Sequence, residues 1–274
     1  MISTATQHPI TVIGTQQDSE VFAQLNDSKN QNSLPLLFDW QMVEKVNHKT
    51  LLTTANQYPL YLAIIKSRPI VIYQNNNNEL NKITPNWQAL TTRIVGAGRK
   101  SELILQASKL NTGMSVIDAT AGFGHDGLIM ASTGANVTML ENNPIMALLL
   151  FYEYHLMNEN KNWQKLLSRI TISYINAVEY LTNCDTVDMV YLDPMFPDDS
   201  YGAKVGKNMQ MLHNIAAPPT FAEEKSLLTL SLSSIQDDSK VIVKRPISAP
   251  NFAGQPCIQS VSNNAIRFDI YSNS

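Results

Sequence analysis

Cysteine is scarce in this chain of 274 residues: there are two, Cys184 and Cys257, far apart and outside any Cys-x-x-Cys pair. That pattern excludes a disulfide framework or a cysteine-based zinc site as the basis of the fold, and free thiols suit a reducing compartment. The five histidines are scattered without ligand spacing, so no metal is expected. Long apolar runs are missing too. The stretch Ile145–Phe151 is apolar but falls far short of the roughly 18–20 residues of a membrane span. The opening Met1-Ile2-Ser3-Thr4 lacks the basic region and apolar core of a signal peptide, so a cytoplasmic protein without membrane association is expected. Positive charge is likewise in short supply: 20 Lys and Arg face 23 Asp and Glu, a net charge of −3. A broad electrostatic grip on nucleic acid is disfavoured on that balance, although a local patch is not.

What is present divides near residue 92. Residues 1–92 hold short apolar runs that read as strands: Ile10–Ile13, Leu34–Phe38, Leu60–Ile65 and Ile70–Tyr73. Lys66-Ser67-Arg68-Pro69 forms a plausible turn between the last two. This part carries no catalytic signature, and a small N-terminal α+β domain is expected. Over residues 93–274, strands and helices alternate. Strands are predicted at Met114–Ala119, Ala135–Leu140, Ile170–Tyr174, Met189–Leu192 and Lys240–Lys244. Helices are predicted at Ser101–Leu110, Pro144–Met157 and Phe221–Ile235. Pro144 suits a first helical position, and Asn143 before it suits an N-cap. Ile258–Val261 and Ala265–Tyr271 flank Ser262-Asn263-Asn264 as a hairpin. The alternation predicts an α/β fold, a Rossmann-like doubly wound sheet, with this C-terminal antiparallel hairpin at one edge.

Two loops carry chemistry. The first is Val116-Ile117-Asp118-Ala119-Thr120-Ala121-Gly122-Phe123-Gly124-His125-Asp126-Gly127, a strand running into a glycine turn. Gly122, Gly124 and Gly127 fit G-x-G-x-x-G, which by itself also fits a nicotinamide or flavin enzyme, or a plain tight turn. Asp118, a carboxylate inside the strand, resembles the acidic residue in motif I of class I methyltransferases. The next strand ends in Glu141, placed to accept hydrogen bonds from ribose hydroxyls; the alternative is a helix-start carboxylate favoured by the macrodipole. The second loop is Val190-Tyr191-Leu192-Asp193-Pro194-Met195-Phe196-Pro197. It resembles the Asp/Asn-Pro-Pro-Tyr/Phe motif of methyltransferases acting on exocyclic amino groups, with Met195 replacing the second proline. An exocyclic amine is a poor nucleophile because its lone pair is delocalised into the ring. The Asp193 carboxylate and Pro194 carbonyl suit the two N–H groups and stabilise positive charge developing on nitrogen. Phe196 suits stacking on the extruded base.

Together with Val243-Lys244-Arg245-Pro246 and Arg267-Phe268-Asp269-Ile270-Tyr271, these motifs occur in an order that resembles the bacterial small-subunit ribosomal RNA guanine-N2 methyltransferases of the RsmJ type. The resemblance covers roughly Arg93 to Tyr271. It implies a class I methyltransferase fold and S-adenosylmethionine as cofactor. It further implies a guanine in the 3′-terminal region of small-subunit ribosomal RNA, free or in the 30S subunit, as acceptor. Carried over by motif, it places His125 and Asp126 on the methionine side of the cofactor. Glu141 and Asn142 fall at its ribose and adenine, Asn176 and Ala177 at the adenine edge, and Asp193 between cofactor and base. The family often has Arg at the positions of His125 and Asn142, and serines at those of Asn176 and Ala177. Lys204, Lys207, Lys244 and Arg245 are the candidate phosphate contacts. Competing expectations are an adenine or protein-amide methyltransferase, a nucleotide-cofactor oxidoreductase, and a non-catalytic RNA-binding protein.

Overall fold

A computed structural model describes residues 9–75, 77–96, 98, 101–195 and 218–273. The chain divides between Pro85 and Asn86 into two compact units. Sequence reasoning placed the division after residue 92. The intervening residues belong to the second unit because Trp87 is fully buried in that unit's core.

In the first unit the elements are β1 (Ile10–Gly14), α1 (Ser19–Gln31), β2 (Phe38–Met42), α2 (His48–Ala55), β3 (Leu60–Ile65), β4 (Arg68–Gln74) and β5 (Leu80–Ile83). The strands form one sheet in the order β2-β1-β3-β4-β5. β1 runs parallel to β2 and β3, while β3, β4 and β5 form an antiparallel meander. A strand was expected over Leu34–Phe38, but pairing begins at Phe38, opposite Ile10. Pro35 has no N–H to give a ladder. Leu34 and Leu36 are buried without being strand residues. The turn between β3 and β4 is a two-residue one, with Lys66 and Ser67 both at positive φ (52° and 56°). Such backbone matches the strand twist in tight hairpins.

The second unit contains α3 (Thr91–Val95), α4 (Leu103–Ser108), β6 (Ser115–Asp118), α5 (His125–Ala131), β7 (Asn136–Glu141), α6 (Pro144–Asn158), α7 (Lys161–Leu167), β8 (Ile170–Tyr174), α8 (Ala177–Asn183) and β9 (Val187–Leu192). It closes with α9 (Phe221–Ser233), β10 (Ile235–Pro246), β11 (Gln259–Ser262) and β12 (Ile266–Tyr271). The strand order is β11-β12-β10-β9-β6-β7-β8. β6 to β10 are mutually parallel, and β12 is antiparallel to both of its neighbours. The C-terminal hairpin of β11 and β12 lies at one edge of the sheet as expected, with β12 against β10 and β11 outermost. This is the open, doubly wound sheet of a Rossmann-like α/β fold.

Side-chain alternation splits the core into two layers. Val116, Val137, Met139, Met189, Tyr191 and Ile242 face one layer, beneath α4, α5, α6 and α7. Ile117, Leu140, Val190, Leu192, Val241 and Val243 face the other, against α8 and α9. α6 is buried along most of its length, as its apolar sequence predicts. Its N-cap is Asn143, whose side chain accepts from the Ile145 and Met146 N–H groups at 3.0 and 3.1 Å. Among the described residues no helix is long and apolar enough to cross a membrane.

Candidate active site

The carboxyl ends of β6, β7, β9 and β10 meet at the point where strand order reverses, the usual ligand crevice of an open parallel sheet. Parity explains which side chains gather there. Asp118 pairs with Tyr191 in the ladder, and Tyr191 with Ile242. Counting two residues on from Tyr191 and Ile242 reaches Asp193 and Lys244, which therefore emerge on the face that carries α5. Two residues on from Met139, Glu141 emerges on it too. The distant segments converge because of this register.

The glycine turn connects β6 to α5. Gly122 and Gly124 adopt positive φ (55° and 74°), and Gly124 is the N-cap of α5. Gly127 answers a different need. A Cβ there would run into Met139 Cε and stand 3.1 Å from Asp118 Oδ2, so helix and strand approach closely only with glycine. The turn is held from three sides. The Gly122 N–H donates to Glu141 Oε2 at 2.9 Å, the Trp87 indole N–H to the Phe123 carbonyl at 2.7 Å, and the Ala121 N–H to the Leu140 carbonyl at 3.0 Å. Thr120 links the turn to the second loop, its hydroxyl accepting the Asp193 N–H at 2.6 Å. Pro194 follows as a buried residue.

Four carboxyl groups and one ammonium dominate the electrostatics. Asp118 is buried and accepts the Thr120 N–H at 3.3 Å. Desolvation lifts its carboxyl well above the usual range, with Asp126 adding to the push. Glu141 is 8 % exposed and also accepts the Asn143 N–H at 2.7 Å. Burial raises it to about 7 against the lowering effect of these backbone donors. Lys244 Nζ lies 2.9 Å from Asp126 Oδ2 and 2.7 Å from Asp193 Oδ2. The Tyr191 hydroxyl donates to Asp126 Oδ2 at 2.7 Å. Burial pushes Asp126 upward, but the Lys244 charge and these two donors outweigh it and leave the carboxyl below its usual value. Asp193 goes the other way. Burial raises it and the Asp126 charge adds, against the pull of Lys244. Its side chain is 30 % exposed, so solvent screens part of that push. His125 is lowered, first by desolvation and then by the cations Arg93 and Lys244, with Asp126 opposing.

Among the expected site residues, Asp118, Gly122, Gly124, His125, Asp126, Glu141 and Asp193 meet at these strand ends. Asn142 follows Glu141 and is exposed. Asn176 caps α8 beside the end of β7, accepting the Val178 N–H at 2.8 Å, with Ala177 next to it. Phe196, Lys204 and Lys207 lie outside the described residues. Two expectations need correction. Lys244 is committed to internal carboxylates rather than presented for phosphate. Arg245 is 4 % exposed, pairs with Glu224 at 3.2 Å and donates to the Pro250 carbonyl at 2.9 and 3.2 Å. Arg245 is buried, and the half-buried Lys244 has its ammonium paired with two carboxylates. Thr120, Tyr191 and Trp87 were missed as contributors. Thr120 and Tyr191 stood inside the two motifs, but Trp87 precedes both. A cavity of about 480 Å³ lined by Ser115, Asn136, Glu179, Tyr180 and Cys184 opens at the opposite, amino-terminal ends of the strands and is separate from this site.

The cluster suits a cationic, ribose-containing cofactor. Asp118, Asp126, Glu141 and Asp193 outnumber Lys244, and Glu141 stands beside the glycine turn as a hydroxyl acceptor. The comparisons with known proteins agree. The SAM-dependent methyltransferase family model matches residues 45–273. A ribosomal RNA small subunit methyltransferase J of Psychrobacter cryohalolentis is 44% identical over 266 residues, covering 88% of this chain and 87% of that protein. This chain belongs to the SAM-dependent methyltransferase family. Within it, the chain groups with proteins named ribosomal RNA small subunit methyltransferase J. Another, from Acinetobacter baylyi, is 37% identical and covers 69% of this chain and 74% of its own length. The crystal structure of a SAM-dependent methyltransferase from Neisseria gonorrhoeae matches with TM-score 0.65 and 23% identity. It covers 95% of this chain and 94% of its own, and supports the fold. S-adenosylmethionine is the methyl donor of this enzyme.

Proposed function

We propose that this methyltransferase acts on small-subunit ribosomal RNA and methylates the exocyclic N2 of a guanosine in its 3′-terminal region, on free RNA or in the 30S subunit. The observation that carries the reading is the Asp193 loop. Its backbone N–H is bonded to Thr120 at 2.6 Å, which sets an acceptor carboxylate directly against the cofactor turn. The names of the related proteins supply the RNA class.

When bound, S-adenosylmethionine supplies a methyl group activated by the adjacent sulfonium charge. In this proposal Glu141 and Asn142 hold its ribose and adenine, with Asn176 and Ala177 at the adenine edge. His125 and Asp126 border its methionine portion, with Asp118 organising the turn behind them. Asp193 accepts one amino N–H of the guanine and the Pro194 carbonyl the other. These contacts favour a pyramidal nitrogen and offset the positive charge that develops on it. Phe196 stacks on the base. Lys204 and Lys207 remain as phosphate contacts.

Labelled S-adenosylmethionine incubated with small subunits lacking their native methylations, followed by nucleoside analysis, tests the reading. Labelled N2-methylguanosine is expected. Label on another base, or in protein only, would replace the acceptor while leaving the fold and cofactor untouched. Asp193→Ala is expected to lower transfer by at least a hundredfold, a loss of order 3 kcal/mol, in a folded protein that still binds cofactor.

A further inference from the structure

Lys244 is the least expected member of the site. It enters from β10, while its two partners come from α5 and from the end of β9, and it is 24 % exposed. An ammonium that keeps only part of its hydration is costly, and two carboxylates offset that cost. Their charges raise Lys244 although desolvation opposes them, so it is a cation throughout the working pH range. Both of its bonds use the Oδ2 atom of the aspartate concerned. We propose that Lys244 is a positioning residue for methyl transfer: it clamps Asp193 through Oδ2, keeps that carboxylate charged, and turns Oδ1 toward the acceptor amine. The proposal rests on the role given to Asp193 above and extends it to a residue that the motif itself does not contain.

The groups around Asp193 fix the expected direction. Asp118 acts with it from β6, Asp126 from α5, Tyr191 from β9 and Lys244 from β10, while Arg93 of α3 and His125 of α5 interact with Asp126. Without the Lys244 charge, Asp126 remains as a like charge beside a partly desolvated carboxyl. Asp193 then takes up a proton at higher pH, and a protonated carboxyl accepts an N–H poorly.

The test uses Lys244→Met and Lys244→Gln in the full-length protein. Gln keeps N–H donors for both aspartates and serves if Met impairs folding, which thermal unfolding reports. The first readout is the ¹³C titration of the Asp193 carboxyl in cofactor-free protein. The second is the pH profile of single-turnover transfer. Both midpoints are expected to rise by at least about one pH unit, leaving about tenfold less active enzyme on the acid limb. Lys244→Arg should restore the titration midpoint. An Asp193 titration and acid limb identical to wild type in both neutral variants would overturn the proposal. Asp193→Asn separates the two layers of inference. If it transfers methyl at the wild-type rate, the role of Asp193 itself is wrong. If it is slowed but still measurable in single-turnover assays, the Asp193→Asn/Lys244→Gln double variant should be no slower than the single one. A further loss as large as Lys244→Gln causes in the wild-type background would mean that Lys244 acts independently.

Discussion

At the scale of single residues, Glu141 offers a direct handle on cofactor binding. Its carboxyl is raised to about 7 by burial in the free protein, whereas ribose hydroxyls bond best to the ionised form. Affinity for S-adenosylmethionine should therefore strengthen as pH rises from about 6 to about 8 and then level off, with a proton released on binding below the midpoint. Calorimetric titrations in buffers of different ionisation enthalpy measure both effects, and Glu141→Gln should flatten the pH dependence. Glu141 and Asp193 were legible in the sequence because each ends an apolar strand and so has a fixed place at the sheet edge. Lys244 was legible as a cation but not as a partner of Asp126 and Asp193, from which 118 and 51 positions separate it. Strand order and register decide that meeting, and neither is written in the local sequence.

At the scale of elements, the join of β6, the glycine turn and α5 is the tightest packing in the site. Gly127→Ala places a methyl against Met139 and Asp118. Part of that conflict is relieved by the flexible end of Met139, and part is not, because Met139 Cγ also lies 3.3 Å from the added atom. Denaturant unfolding should show a loss of about 1–3 kcal/mol, the usual range for overpacking. The parallel strands were visible because each carries a short apolar centre, Val116-Ile117 in β6, Met139-Leu140 in β7 and Met189 to Leu192 in β9. α1 and α2 were not. Their short, polar sequences bury only Val21, Leu25 and Ser28 in α1, and Leu51, Thr54 and Ala55 in α2, too few apolar side chains to reveal a helical period. The displaced β2 has a different origin: Leu34 and Leu36 are apolar for burial rather than for pairing.

At the scale of the whole molecule, charge limits how RNA is held. The net charge is −3, and Lys244 and Arg245 are occupied by Asp126, Asp193 and Glu224. Of the four cations proposed for phosphate, that leaves Lys204 and Lys207 to displace counterions. RNA affinity should therefore depend weakly on salt, with a log–log slope no steeper than about −3, corresponding to roughly four phosphate contacts at the single-strand coefficient. Fluorescence anisotropy over a salt series measures the slope directly. A steep slope would place a basic surface elsewhere on the protein. Residues 86–92 fall with the second unit because Trp87 enters its core, and nothing in the neighbourhood of Trp87 marks that in the sequence.

Trp87 also gives the enzyme an optical reporter. Its indole N–H is bonded to the carbonyl of Phe123, the residue between the two positive-φ glycines, and its ring stacks near Trp163 at 6.4 Å. The remaining tryptophan, Trp40, stacks on Phe22 in the other unit. Indole emission depends on the hydrogen bond and the polarity around the ring. The natural fluorescence of the unlabelled protein is thus expected to change when a ligand settles against the glycine turn.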